Sequence, residues 1–252
     1  MTQEIDQNKR EAWDVEALWR LAGSQFIKNG DADLAANLAR LAEAQDPTHG
    51  SDPFFVKPVR VVKAVDISNF TGNITPAEVA ALRAAGVEYV IVRLSWENSQ
   101  IAAITATQIA ALEADGQMPY GGYFFADWGQ DATLMVKQFL ATYPNLKSLW
   151  WDGETNGPHE VLPGGAAVNA WVYAAMSACP VPHGVYGNAN SFSEVAYELR
   201  PDDALWLAGV PSLDGANLGG HAAVGVQMPG QQQIAGLTVD VDEFEASALG
   251  LT

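Results

Sequence analysis

Eight short apolar runs recur from residue 61 onward, and their lengths and order narrow the fold more than any other feature of the chain. They are VVKAVDI (61–67), EYVIVRL (88–94), PYGGYFF (119–125), SLWWDGE (148–154), HGVYGN (183–188), ALWLA (204–208), AVGVQM (223–228) and GLTVDV (236–241). Each has the length and the β-branched or aromatic content of a buried strand. Helical patterns separate the early runs. One spans Pro76 to Ala85, with Thr75 as N-cap and Pro76 at the first helical position, and others lie around 104–114, 131–142 and 165–178. Beyond residue 183 the helices shrink while the strands continue. Eight strands, the early ones alternating with helices, favour a closed barrel of parallel type over an open sheet.

The first sixty residues read differently. Trp13, Ala17, Leu18, Leu21 and Ala22 keep helical spacing, Asn29-Gly30 interrupts, and Asp31 can cap a second helix striped by Leu34, Leu38 and Leu41. The expected organisation is therefore a helical hairpin over 1–45, a Pro- and Gly-containing linker over 46–60 and a barrel over 61–252. Two helices this short bury too little surface to stand alone, so the hairpin is expected to dock a partner or mediate self-association. The opening MTQEIDQNKREAWD has no apolar core of the kind a secretory signal needs, and no apolar run reaches the roughly 18 residues that span a bilayer. Neither a signal peptide nor membrane insertion is expected. The single cysteine, Cys179, excludes an internal disulfide and reads as a small core residue.

Charge narrows the function. The chain carries a net −17, and residues 61–252 hold twenty acids against six bases. So few cations make nucleic acid an unsuitable partner. In a barrel, chemistry gathers at the carboxyl ends of the strands. Here those ends offer Asp66, Glu97, Asp127, Asp152 with Glu154, Asn188, Gln227 and Asp240, among the aromatics Trp96, Tyr123, Trp128, Trp151, Tyr186 and Trp206. Carboxylates that hydrogen-bond hydroxyls, beside rings that stack on sugars, suit a neutral, hydroxyl-rich substrate. Trp151 and Trp206 are the expected sugar platforms, Trp150 and Trp171 structural, and Asp242 a solvated residue near a strand end. Asp152 and Glu154 alternate with Gly153, so both acids point the same way on a strand. The four histidines lack metal-ligand spacing and the glycines form no phosphate loop, so no metal and no cofactor is expected.

These segments resemble the glycoside hydrolase family 25 lysozymes, which are N-acetylmuramidases. The resemblance runs in order through Val65-Asp66-Ile67-Ser68-Asn69-Phe70-Thr71-Gly72, Tyr89-Val90-Ile91-Val92-Arg93, Gly121-Gly122-Tyr123-Phe124-Phe125, Asp152-Gly153-Glu154, Gly184-Val185-Tyr186, Leu205-Trp206-Leu207-Ala208, and Val226-Gln227 with Gly236 and Val239-Asp240. It implies an irregular, TIM-like (β/α)5(β)3 barrel, here preceded by the N-terminal α-helical hairpin. It also implies hydrolysis of the β-1,4 bond between N-acetylmuramic acid and N-acetylglucosamine in a peptidoglycan glycan strand. By the same resemblance Glu154 is the general acid, Asp152 steadies the substrate's acetamido group, and Asp66 and Asp240 shape the −1 sugar site. Glu97, Tyr123, Trp151, Tyr186, Trp206 and Gln227 are the expected substrate-binding residues. A phage origin would place the protein on a virion, or in a host cytoplasm with release to the wall. The alternative is a weakened barrel kept as a structural or glycan-binding part of a phage particle. The motifs depart from the family at Phe124, where it has His, and at Asn98, Gly153 and Gly209.

Overall fold

A computed structural model of the chain describes residues 59–96, 100–101, 103–155 and 161–251. The hairpin over 1–45, nearly all of the linker, and Glu97 with Asn98 lie outside the described residues.

Twelve strands are described: β1 (Val61–Ile67), β2 (Tyr89–Arg93), β3 (Ser95–Trp96), β4 (Gln100–Ile101), β5 (Tyr120–Phe125), β6 (Leu149–Asp152), β7 (His183–Gly187), β8 (Leu205–Ala208), β9 (Asn217–Leu218), β10 (His221–Gln227), β11 (Gln232–Ile234) and β12 (Leu237–Glu245). Eight of them close a barrel in the order β1-β2-β5-β6-β7-β8-β10-β12, with β12 pairing back onto β1. Helices α1 (Pro76–Ala84), α2 (Ala103–Asp115), α3 (Ala132–Thr142), α4 (Gly165–Ser177) and α5 (Ala189–Val195) follow the first five barrel strands. The last three barrel strands are joined without α-helices, which gives the (β/α)5(β)3 pattern. The barrel is not wholly parallel: β12 runs antiparallel to both β1 and β10. A strand that returns through the short β11–β12 hairpin must reverse direction, since a parallel return needs a crossover of a dozen residues or more.

Alternation along each strand sorts the side chains into two layers. Val65, Val90, Val92, Phe124, Trp151, Val185, Leu207, Val226 and Val241 point outward and belong to the core that packs under the helices. Val62, Ala64, Tyr89, Ile91, Trp150, Trp206 and Phe244 point inward and fill the barrel. The inner filling is tight. A Cβ on Gly225 of β10 would come within 2.1 Å of the Phe244 ring, so glycine there makes room for the ring. Local signals begin the helices as read: Thr75 caps α1 in a reciprocal capping box with Glu78, and Asp131 caps α3.

Candidate active site

Each inward row changes character as it rises toward the carboxyl ends of the parallel strands. On β1 the inward residues run Val62, Ala64, Asp66, and on β2 Tyr89, Ile91, Arg93. Trp150 gives way to Asp152 on β6, and on the reversed β12 the order from floor to mouth is Phe244, Asp242, Asp240. An apolar column therefore carries a polar cap built from separate strands. Asp66 and Asp240 are direct cross-strand partners.

The cap is wired by neutral donors and one guanidinium. Gln227, the last residue of β10, donates from Nε2 to Asp66 Oδ2 at 2.8 Å, and its Oε1 accepts the Tyr186 hydroxyl at 2.8 Å. Arg93 Nε donates to the Tyr123 hydroxyl at 3.0 Å, and its Nη1 to Asn69 Oδ1 at 3.0 Å. Its guanidinium also lies over the Tyr123, Phe125 and Phe70 rings, 5.1 to 5.8 Å from the centroids. Gln108 of α2 clamps the loop after β1, donating at 2.8 Å to the carbonyls of Ser68 and Gly72.

Asp152 is buried, and its Oδ1 accepts the backbone N–H of Glu154 at 3.0 Å. Strand β6 ends at Asp152, so Glu154 stands just past it, exposed at the mouth. Burial holds the Asp152 carboxyl well above the ordinary carboxylate range, and the charge of Glu154 pushes it further. Glu154 is raised too, by desolvation against the rim and by Glu194, while Arg93 opposes. Asp66 is pushed up to about 7, first by burial and then by Asp240, against the pull of Gln227 and Arg93. Among the described residues no group of three or more His, Cys, Asp or Glu is arranged to hold a metal ion.

Five expected site residues, Asp66, Asp152, Tyr123, Tyr186 and Gln227, line this cap, with Asp240 across from Asp66 and Glu154 at its edge. Glu97 lies outside the described residues. Trp151 does not belong to the site. It sits on the outward face of β6, fully buried, with its ring 6.5 Å from Trp128 and 4.9 Å from Tyr197. Trp206 points inward but is sealed under Tyr186, ring to ring at 4.5 Å, and has no face to offer a sugar. Asp242 is not solvated; it is fully buried in the barrel. Asp127 serves a turn, accepting the Gly129 N–H, and Asn188 caps α5. The residue missed in the sequence is Arg93. Its signal was available, as a base at the carboxyl end of a barrel strand in a rim that otherwise offers acids and amides.

Two of the departures from the motifs, Phe124 and Gly153, are matters of packing. Phe124 points outward against Phe139, with centroids 5.3 Å apart, and so does not face the site. At Gly153 a Cβ would approach the Phe192 ring to 2.6 Å and the Tyr186 carbonyl to 2.9 Å. Phe192 of α5 fills the space that a side chain at 153 would take.

No protein-family model matches the sequence, and neither does any curated protein. Solved structures do. The barrel superposes on a lysozyme from Streptomyces coelicolor with a TM-score of 0.60 and 15% identity, over 75% of this chain and 94% of that one. A family 25 glycosyl hydrolase from Bacillus anthracis matches with a TM-score of 0.56 and 13% identity, over 75% of this chain and 90% of the other. This is the family 25 lysozyme fold. The autolysin LytC of Streptococcus pneumoniae, solved with a synthetic peptidoglycan ligand, shares the fold at 22% identity and a TM-score of 0.56, over 73% of this chain and 47% of its own. At these identities the likeness is one of fold, and a family 25 fold leaves the chemistry to be argued from the cap.

Proposed function

We propose that the barrel is a peptidoglycan hydrolase of the muramidase type. The observation that carries this reading is the pair at the end of β6: one carboxyl buried, its neighbour two residues on exposed at the mouth, and both held above their ordinary values. A raised carboxyl that is open at the mouth keeps a proton it can deliver, which suits acid catalysis at a glycosidic bond. Glu154, accessible and raised, gives its proton to the oxygen between N-acetylmuramic acid and N-acetylglucosamine as the bond from the anomeric carbon breaks. The acetamido oxygen of the −1 sugar bonds to that carbon from the opposite face. Asp152 releases its proton to solvent before the bond breaks and steadies the acetamido group as the carboxylate, a form that the positive charge developing there favours. Water then attacks the same carbon, breaking its bond to the acetamido oxygen, gives a proton to Glu154 and leaves the sugar with its configuration retained. Asp66, Asp240, Gln227 and Tyr186 shape the −1 site, and Tyr123, fixed by Arg93, forms its side. Such an enzyme acts at the cell wall; among the described residues no helix is long and apolar enough to cross a membrane.

The test is loss of turbidity in purified peptidoglycan with appearance of new reducing ends. Glu154→Gln keeps shape and hydrogen bonding but has no proton to give, so hydrolysis should drop by about 10²- to 10⁴-fold. A wild-type protein that binds the glycan and releases no reducing ends would instead be the weakened, glycan-binding barrel.

A further inference from the structure

One buried acid has no part in the scheme above. Asp242 projects into the barrel from β12, one inward step below Asp240, and is fully buried. Its Oδ1 accepts the Trp206 indole N–H at 3.1 Å, the Asp66 backbone N–H also favours its charge, and among the described residues no side chain donates to its Oδ2. Its cross-strand neighbours are Ala64 on β1 and Gln227 on β10, so neither adjoining strand brings a cation to its level. The titratable groups facing it are Asp240 on its own strand, Asp66 on β1 and Tyr186 on β7. The cation of the cap, Arg93 on β2, acts on Asp66 and Asp152. A fully buried carboxylate held by neutral donors, with other acids nearby, is a costly species, and the protonated acid costs far less.

We propose that Asp242 is a positioning residue that stays protonated beneath the site, so that the negative charge of the Asp66–Asp242 pair resides on Asp66. The geometry divides the roles. Asp66 receives the Gln227 amide and the field of Arg93, both of which favour its ionised form. Asp242 has a buried indole as its side-chain donor, and burial with the charge of Asp66 holds it well above the ordinary carboxylate range. By anchoring Trp206 it also supports the ring under Tyr186, whose hydroxyl sets Gln227 and through it Asp66. The importance given to Asp66 rests on the muramidase reading; the protonation of Asp242 does not.

Asp242→Asn preserves the acceptor for Trp206 and has no proton to lose. Thermal unfolding of both proteins between about pH 4 and pH 8 reads the protonation directly. The variant should gain on wild type by ~3 °C or more per pH unit, because only wild type must hold a proton that the unfolded chain releases. A difference that stays flat, or a variant that falls behind as pH rises, would overturn the proposal. The limb of the pH–kcat/KM profile that reports Asp66 should keep its position within ~0.3 unit, and a shift of a unit or more would show the charge to be shared. If Asp242→Asn does not fold, Asp152→Asn labelled with ¹³C at the aspartate carboxyls provides the second measurement. At about pH 8, where Asp66 has ionised, one protonated aspartate carboxyl should remain, and its absence would sink the idea. Should no version hydrolyse peptidoglycan, the melting comparison still decides.

Discussion

Asp152 and Glu154 are two positions apart, and the end of β6 between them gives them different surroundings. Asp152, inside the barrel, would stabilise charge that exists only during the reaction. Asp152→Asn should therefore lower kcat by roughly 10²- to 10³-fold, on the scale of losing one preorganised electrostatic partner, with KM changed by less than about threefold. Steady-state kinetics on solubilised glycan strands would check this, and a loss confined to KM would count against the role. Gly153 lends itself to a structural test. Gly153→Ala forces a methyl against the Phe192 ring and the Tyr186 carbonyl, and should cost ~1–3 kcal/mol in a denaturant melt. A double change with Phe192→Leu should recover part of that loss. The same alternation explains what the sequence reading had right and wrong. Period two pointed Asp152 and Glu154 the same way, whereas β6 ends at Asp152 and leaves Glu154 exposed at the mouth; the same period should have excluded Trp151, which must face the other way. It could not reveal that Trp206, though inward, lies too deep to meet a ligand, because depth along the barrel axis depends on the registers of neighbouring strands.

Helix α2 does more than pack against α1 and β2. Through Gln108 it reaches the loop that follows β1, gripping Ser68 and Gly72 at their carbonyls, while Thr71 Oγ1 accepts the Ser68 N–H. That loop carries Asn69, the partner of Arg93, and adjoins Asp66. Gln108→Ala should leave the fold intact, speed amide exchange across residues 68–73, and lower kcat/KM by about tenfold through a looser Asp66 and Arg93. Exchange mass spectrometry alongside kinetics would show both effects, and unchanged exchange would remove the clamp from the account. The eight barrel strands and the first four helices were legible in the sequence to within a few residues, since capping residues and apolar periodicity are local, while the short β3, β4, β9 and β11 were not. The direction of β12 was not, because an apolar run has the same pattern read either way. Only the short β11–β12 return fixes it. That reversal also explains the misreading of Asp242: on a parallel strand it would lie past the mouth, and on the antiparallel one it points down into the floor.

Across the whole barrel, buried acids make stability depend on pH in an unusual direction. Asp66 is raised to about 7, and Asp152 and Asp242 are also held upward, mainly by burial. The unfolded chain ionises these groups near pH 4, whereas the folded barrel keeps their protons. Their contribution is complete below the unfolded value and is lost as pH rises through the folded ones. Asp115, held low by Arg83, and Glu113, held low by Asn145 and Tyr120, work in the opposite sense and fail only in stronger acid. The melting temperature should therefore peak in mild acid and decline steadily toward pH 7 and above. Differential scanning calorimetry across that range would check it, and a maximum at neutral pH would contradict these ionisation states.

The seam between β1 and β12 carries one more consequence, for the order in which the protein acquires its chemistry. Asp66 and Asp240 face each other across strands separated by nearly the whole length of the barrel. Closing so long a span is entropically slow, and contacts this distant in sequence form late. Every intermediate that lacks the last strand has an open edge and half of an acidic cluster. On the muramidase reading, a chain with most of its helices and parallel strands in place would still be unable to cut a glycan. Competence would then arrive in a single late step, when β12 docks and brings Asp240 and Asp242 to meet Asp66.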